Sequence, residues 1–292
     1  MDITIETEHL TAVVSTDGAE LTSLKSKETD IEYIWQADPK YWKRHAPVLF
    51  PFVGALKDNQ YTYQGKTYQL SQHGFARDME FQVIEQNKDS VRLMLESTTA
   101  TKEVYPFDFK LIIAYELGGD GIVVKYYVEN PAEEAMYFSI GGHPAFNVPL
   151  VDDLSFEDYY LEPSPMKSRL MLPLKDGYVD LAQRTLGQTN TNIALTRELF
   201  KVDTLIFETK GLNSFSIRSE KSPHSITLTY NNLPYLGIWA GNYGLEAPFV
   251  CIEPWEGVAD TTDSTGELTE KLGIRKLDVK DTYETKYAIT IK

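Results

Sequence analysis

Apolar and polar positions alternate with a period near two along much of the chain. β-Branched and aromatic residues crowd segments 81–85, 91–96, 109–116 and 121–128, and again 205–208, 215–218, 225–230, 236–240, 249–253 and 283–291. That period and composition suit half-buried strands. Breakers separate the runs. Gly118-Gly119-Asp120-Gly121 predicts a hairpin turn, and Asn130-Pro131 predicts a strand end. Turn signals recur at roughly 8–12 residues, the spacing of a sandwich or barrel rather than of βαβ units. Helical signal is thin. Residues 191–200 and 265–272 are each predicted as a short helix, the second from Thr265 as cap and the apolar pair Leu268 and Leu272. No repeat, low-complexity tract or linker interrupts the chain. The expectation is one all-β domain over residues 1–292: a single large antiparallel β-sandwich with few short helices.

Composition narrows the function classes. Apolar residues make up 42% of the 292 positions and charged residues 24%, a globular rather than disordered balance. There are 28 Lys+Arg against 43 Asp+Glu, a net charge of −15. That sign argues against nucleic acid or an anionic membrane as partner, since both need a basic face. The N-terminal MDITIETEHL lacks the basic and apolar regions of a secretory signal. No apolar run approaches the roughly 18 residues of a membrane span. The expected location is cytoplasmic. Cys251 is the one cysteine, so no internal disulfide forms. It lies in the apolar run 249–252 and reads as a buried structural thiol rather than a nucleophile.

Four stretches carry candidate chemistry: 44–51 (RHAPVLFP), 72–78 (QHGFARD), 141–146 (GGHPAF) and 251–257 (CIEPWEG). Each sets an ionisable side chain beside Gly or Pro and near an aromatic ring. Gly permits unusual backbone angles and Pro fixes a turn, so such strand ends can aim a functional group. An imidazole near a carboxylate gives an acid–base pair that works near neutrality. Trp239, Trp255 and Phe146 offer flat apolar faces for a sugar ring. His73, His143 and Glu253 form a rival two-histidine-one-carboxylate metal set. No H-x-H, H-x-x-x-H or C-x-x-C supports it, and no G-x-S-x-G or phosphate-binding glycine loop occurs. The expectation is therefore no metal.

HGFAR at 73–77, GGHPAF at 141–146 and CIEPW at 251–255, in this order, resemble the aldose 1-epimerase (galactose mutarotase) family, and within it the lactose-operon-associated, mutarotase-like branch. The resemblance covers nearly the whole chain. It implies a β-"supersandwich" and cofactor-free interconversion of the α and β anomers of free aldoses. It also implies roles: His143 as general acid on the ring oxygen, Glu253 as general base on the C1 hydroxyl, His73 as a sugar-binding histidine, and Asp203 as an aspartate on sugar hydroxyls. Ring opening removes a proton from the C1 hydroxyl and delivers one to the ring oxygen. The exchange works if Glu253 is ionised and His143 protonated at the start.

One departure stands out. Many relatives place an arginine in the segment that reads Phe52-Val53-Gly54-Ala55-Leu56-Lys57 here, and this chain has Ala55. Arg44 or Arg77 is expected to supply the cation. Residues 40–77 hold six basic side chains against Asp58 alone, a local excess in an acidic chain. Relatives acting on hexose 6-phosphates resemble this chain in pairing arginines near these positions. A phosphorylated sugar is thus the alternative substrate, beside a non-catalytic carbohydrate-binding protein. A glycoside hydrolase using Asp203 and Glu253 is the third reading.

Overall fold

The computed structural model describes residues 1–241 and 246–292. Two antiparallel sheets dominate. The nine-stranded sheet runs in the order Ile193–Ala194, Tyr160–Ser164, Leu212–Ser219, Ser222–Asn231, Thr282–Ile291, Gly121–Glu129, Lys110–Gly118, Ser90–Glu96, Gln82–Gln86. The eight-stranded sheet runs Thr185–Gly187, Arg169–Met171, Leu205–Glu208, Tyr235–Trp239, Phe249–Trp255, Gly141–Gly142, Val48–Leu49, with Ala145–Asn147 also paired to Phe249–Trp255. A three-stranded sheet of Asp2–Glu6, Leu10–Ser15 and Leu21–Ser26 lies at the N-terminal end of the chain.

Alternation decides which side chains face inward. Ile122, Val124, Tyr126 and Val128 share one apolar cluster with Leu228, Ile289, Leu236, Ile238, Val250 and Ile252, so inner faces of both sheets meet in one core. The expected β-sandwich is the fold. All ten predicted segments are strands, with ends moved by a few residues. The turn at 118–121 is a tight hairpin: Gly118 pairs with Gly121, and Gly119 takes φ +56°.

The two helix expectations are corrected. Residues 191–200 hold the two-residue strand Ile193–Ala194 and a 3₁₀ turn, Glu198–Phe200; residues 265–272 hold only the 3₁₀ turn Leu268–Glu270. In the second, Thr265 Oγ1 donates to the Glu270 carboxylate instead of capping a helix. One α-helix is present among the described residues, Thr99–Val104. It starts on a capping box in which Thr98 Oγ1 accepts from the Thr101 amide and Thr101 Oγ1 from the Thr98 amide. No helix there is long and apolar enough to cross a membrane.

Candidate active site

The site grows from the alternation of one strand pair. Val250 and Ile252 of Phe249–Trp255 enter the core with Leu236 and Ile238 of the neighbouring strand. Cys251, Glu253 and Trp255 therefore face the other side of the sheet, with Gly237 and Trp239. Gly237 stands opposite Glu253, and a Cβ there would fall 2.5 Å from the Trp255 ring. Only glycine lets that indole lie against the ladder.

His143 reaches Glu253 through register. Gly141 pairs with Trp255 and Ala145 with Cys251, so His143 falls between them, beside Glu253. Its amide donates to Pro47 O at 3.1 Å, and Gly142 pairs with Val48. His73 comes from the next stretch along. The Phe75 and Ala76 amides both donate to Phe50 O, and Phe50 bridges Gly74. Both His73 (φ +67°) and Gly74 (φ +70°) are left-handed; at Gly74 a Cβ would meet Phe50 O at 2.3 Å. The four motif stretches thus pack side by side in the order 72–78, 44–51, 141–146, 251–257.

They enclose a cavity of about 250 Å³ lined by His73, His143, Glu253, Asp203, Arg77 and Trp239, with Gln72, Thr204, Trp42, Trp255 and Ala55. His143 Nε2 lies 3.0 Å from Glu253 Oε2, without the alignment of a hydrogen bond. Trp42 stacks on the His143 ring at 4.8 Å, and the His73 and Trp239 rings meet it edge-on at 5.6 and 5.8 Å. Among the described residues, eight buried side-chain nitrogen or oxygen atoms lack a hydrogen-bond partner. Five sit here: both Glu253 oxygens, His143 Nδ1, Arg77 Nε and Trp255 Nε1. Folded proteins pair such atoms almost everywhere, so this concentration marks a place built for a polar ligand. Three larger cavities among the described residues, about 470, 490 and 460 Å³, lie elsewhere and hold no buried acid–base pair.

Burial sets the charge states. It pushes the Glu253 carboxyl well above its usual range, and Asp203 adds to the effect; the nearby Trp255 N–H is unaligned and offsets little. Burial pushes His143 down to about 3, with Arg77 and Arg44 contributing to the lowering. His73 is driven well below 6.5 by burial first, then by His143 and the two arginines. Both shifts favour the neutral forms, the carboxylic acid at Glu253 and the uncharged imidazole at His143. The physical reason is desolvation: burial withdraws the water that stabilises a charge on either group.

The remaining expected residues divide. Asp203 lines the cavity and braces itself by accepting from the Thr204 amide at 2.7 Å. Arg77 lines it too, donating to Gln72 O at 2.7 Å, and burial beside Arg44 lowers it to about 10. Arg44 is not among the lining residues. It turns to Asp78 Oδ1 at 2.8 Å and to Arg77 O, so it supports the Arg77 turn from behind. Phe146 is fully buried in the core and offers no platform. Glu256, the other carboxylate of its stretch, accepts from Arg275 Nε at 2.9 Å and Tyr283 Oη at 2.6 Å. Trp42 and Gln72 were not foreseen as lining residues; Trp42 lies next to the 44–51 stretch, the one signal that could have suggested it.

Behind the cavity wall a buried ion pair holds the loop at 54–57. Lys271 Nζ donates to Asp260 Oδ1 at 2.8 Å and to Val258 O. Asp260 accepts from the Lys57 amide, and its own amide donates to Ala55 O, each at 2.8 Å.

Two antiparallel sheets with a buried imidazole–carboxylate pair on the outer face of one define a galactose mutarotase-like protein. Solved structures agree. A galactose mutarotase related enzyme from Lactobacillus acidophilus superposes with a TM-score of 0.98 at 41% identity, covering 100% of this chain and 97% of that one. A galactose mutarotase-like protein from Lactobacillus casei gives 0.90 at 34%, with full coverage of both. Protein LacX of Lactococcus lactis is 34% identical over 301 residues, covering 100% of this chain and 99% of its own. The family model described as aldose 1-epimerase matches residues 1–272, and the chain belongs to that family. Membership indicates a mutarotase-type isomerase acting on a sugar.

Proposed function

We propose that this protein interconverts the α and β anomers of a free hexose by acid–base ring opening and reclosure, with no cofactor. The carrying observation is the His143–Glu253 pair, buried, 3.0 Å apart and otherwise unpartnered, in a cavity the size of one sugar ring. Glu253 takes the C1 hydroxyl proton and His143 gives one to the ring oxygen. The pair holds one proton whichever side carries it. Sugar hydroxyls supply the hydrogen bonds that the Glu253 oxygens lack, which favours the carboxylate and moves the proton to His143 before chemistry. After C1 rotates, the transfers reverse and the pair is reset. His73 and Asp203 hold hydroxyls, Arg77 replaces the cation missing at position 55, and Trp239 and Trp42 give apolar faces to the ring.

That the near partner of Glu253 is an imidazole favours isomerisation over glycoside hydrolysis. A hexose 6-phosphate is the second reading, supported by Arg77 at the cavity, whose Nε makes no hydrogen bond and only a loose 3.8 Å ion pair with Asp78. The engagement of Arg44 with Asp78 weighs for the neutral sugar. Polarimetry on freshly dissolved glucose, galactose and their 6-phosphates tests both. Acceleration of a neutral sugar supports the first reading, acceleration of the phosphates alone the second, and binding without acceleration a sugar-binding protein.

A further inference from the structure

We propose that the protein binds a thiophilic divalent cation, zinc or cadmium in class, through His143, Cys251 and Glu253, and that the bound ion stops turnover. The inhibition half rests on the role given above to His143 and Glu253; the binding half does not. One nitrogen, the sulfur and one carboxylate oxygen of these residues lie within 4.8 Å of one another, and all three residues are buried. Cys251 and Glu253 occupy alternate positions on one strand and share a face, and Ala145 pairs with Cys251 two residues after His143. The sulfur therefore lies beside the acid–base pair, behind the cavity wall, where Cys251 packs with Ala145 and Phe249.

Thiolate, imidazole and carboxylate are the donor set of zinc. Ligand bonds of about 2.0–2.3 Å at tetrahedral angles put donors about 3.5 Å apart, so side-chain shifts of about 1 Å close the set. Independently of the thiol, both Glu253 oxygens lack a hydrogen-bond partner. They need not break any bond to turn towards an ion. His143 and Glu253 line the cavity, which leaves the fourth position open to water or a hydroxyl. His73, the other histidine of the cavity, is the poorer ligand. Its Nδ1 already accepts from the Gly54 amide at 3.1 Å. Ligation deprotonates the thiol and displaces the one proton of the Glu253–His143 pair, releasing both to solvent, and occupies the lone pairs of the acid and the base. A metal there opposes the reaction instead of serving it.

The test uses the full chain. Zinc is titrated calorimetrically without sugar, cadmium is followed by its thiolate-to-metal absorption band, and turnover is measured by polarimetry with zinc and then with excess chelator. The expected result is one ion per chain, a cadmium–thiolate band, and loss of turnover that the chelator restores. Cys251→Ser should keep metal-free turnover, lose the band, and weaken zinc by more than the roughly 10–100-fold typical of losing a mere supporting contact. Cys251→Ala serves if the serine variant misfolds, and the band on the unaltered protein needs no variant. No stoichiometric binding overturns the proposal. So does binding without a band and indifferent to Cys251→Ser, which would place the ion on exposed histidines such as His9. Full turnover in the zinc-saturated protein overturns the inhibition. If the protein accelerates no sugar, the proposed function fails, while calorimetry and the band still decide the site.

Discussion

The Gly54 amide donates to His73 Nδ1 at 3.1 Å, which leaves the imidazole proton on Nε2. Nε2 lies 3.2 Å from Gln72 Nε2 at the cavity, so with the proton on the ring the Gln72 amide must turn its oxygen there to accept it. Burial keeps this ring neutral, so it offers a sugar one fixed N–H and no exchangeable charge. His73→Asn is expected to raise KM more than it lowers kcat, and to cost less than His143→Asn. A larger kcat loss at His73 would exchange the two roles. Nitrogen NMR of the unaltered protein should show the Nε2–H tautomer across neutral pH.

Glu253→Gln keeps the shape of the side chain and removes the proposed base. Turnover should fall by about 10²–10⁴-fold with an unchanged near-ultraviolet circular dichroism spectrum. Glu256→Gln breaks the link to Arg275 and Tyr283 instead, and should cost stability with turnover largely kept. Near-normal mutarotation in Glu253→Gln would eliminate that carboxylate as base.

Stability should respond to acid in a way that separates the pair. Between pH 4.5 and 6.5 an unfolded chain protonates its histidines, while buried His73 and His143 stay neutral, so stability falls as pH falls. Glu253 acts oppositely. Folding holds its proton above the usual 4.5, so stability falls as pH rises through the same window. Each fully expressed group contributes a slope of about 1.4 kcal/mol per pH unit. His143→Asn should flatten the rise of stability with pH, and Glu253→Gln should steepen it. Melting temperatures at half-unit steps check both, and parallel profiles for all three proteins would reject the assigned protonation states.

Much of the architecture was legible because ten strands are long enough for alternation to show. The short pairings were not: Val48–Leu49, Gly141–Gly142 and Ala145–Asn147 are held by distant partners and carry no period of their own. The helix expectations failed for a related reason. An apolar pair such as Leu268 and Leu272 also fits a turn pressed onto a sheet, and tertiary packing overrides weak propensity. At the site, motif residues beside Gly and Pro came together. Spacing gave no direction for Arg44, which faces Asp78, nor for Phe146, whose strand parity sends it inward.

Arg77→Ala should weaken sugar binding, because Arg77 lines the cavity and its Nε makes no hydrogen bond. Arg44→Ala should change it little. Affinities for glucose and glucose 6-phosphate at low and high salt give the readout. A salt-sensitive preference for the phosphate that either substitution removes would favour a two-arginine clamp.

The Asp260–Lys271 pair predicts a large stability effect. Asp260→Ala leaves a buried ammonium without its carboxylate, which costs about 3–5 kcal/mol. For a chain of this length that is roughly 6–20 °C in Tm. Lys271→Met combined with Asp260→Leu should regain much of it, since an apolar pair needs no compensation. Equal Tm in Asp260→Ala and the parent would reject the pair as an anchor of the 54–57 loop.

The strand Thr282–Ile291 lies between Ser222–Asn231 and Gly121–Glu129, at the middle of the nine-stranded sheet. A ribosome delivers it after both neighbours and after every residue of the cavity. Until it emerges, the two halves of that sheet have no backbone to join them, and each presents a raw edge to other nascent chains. A chain cut before Thr282 would keep every side chain that lines the cavity and still leave both edges open, and it is expected to collect in the insoluble fraction.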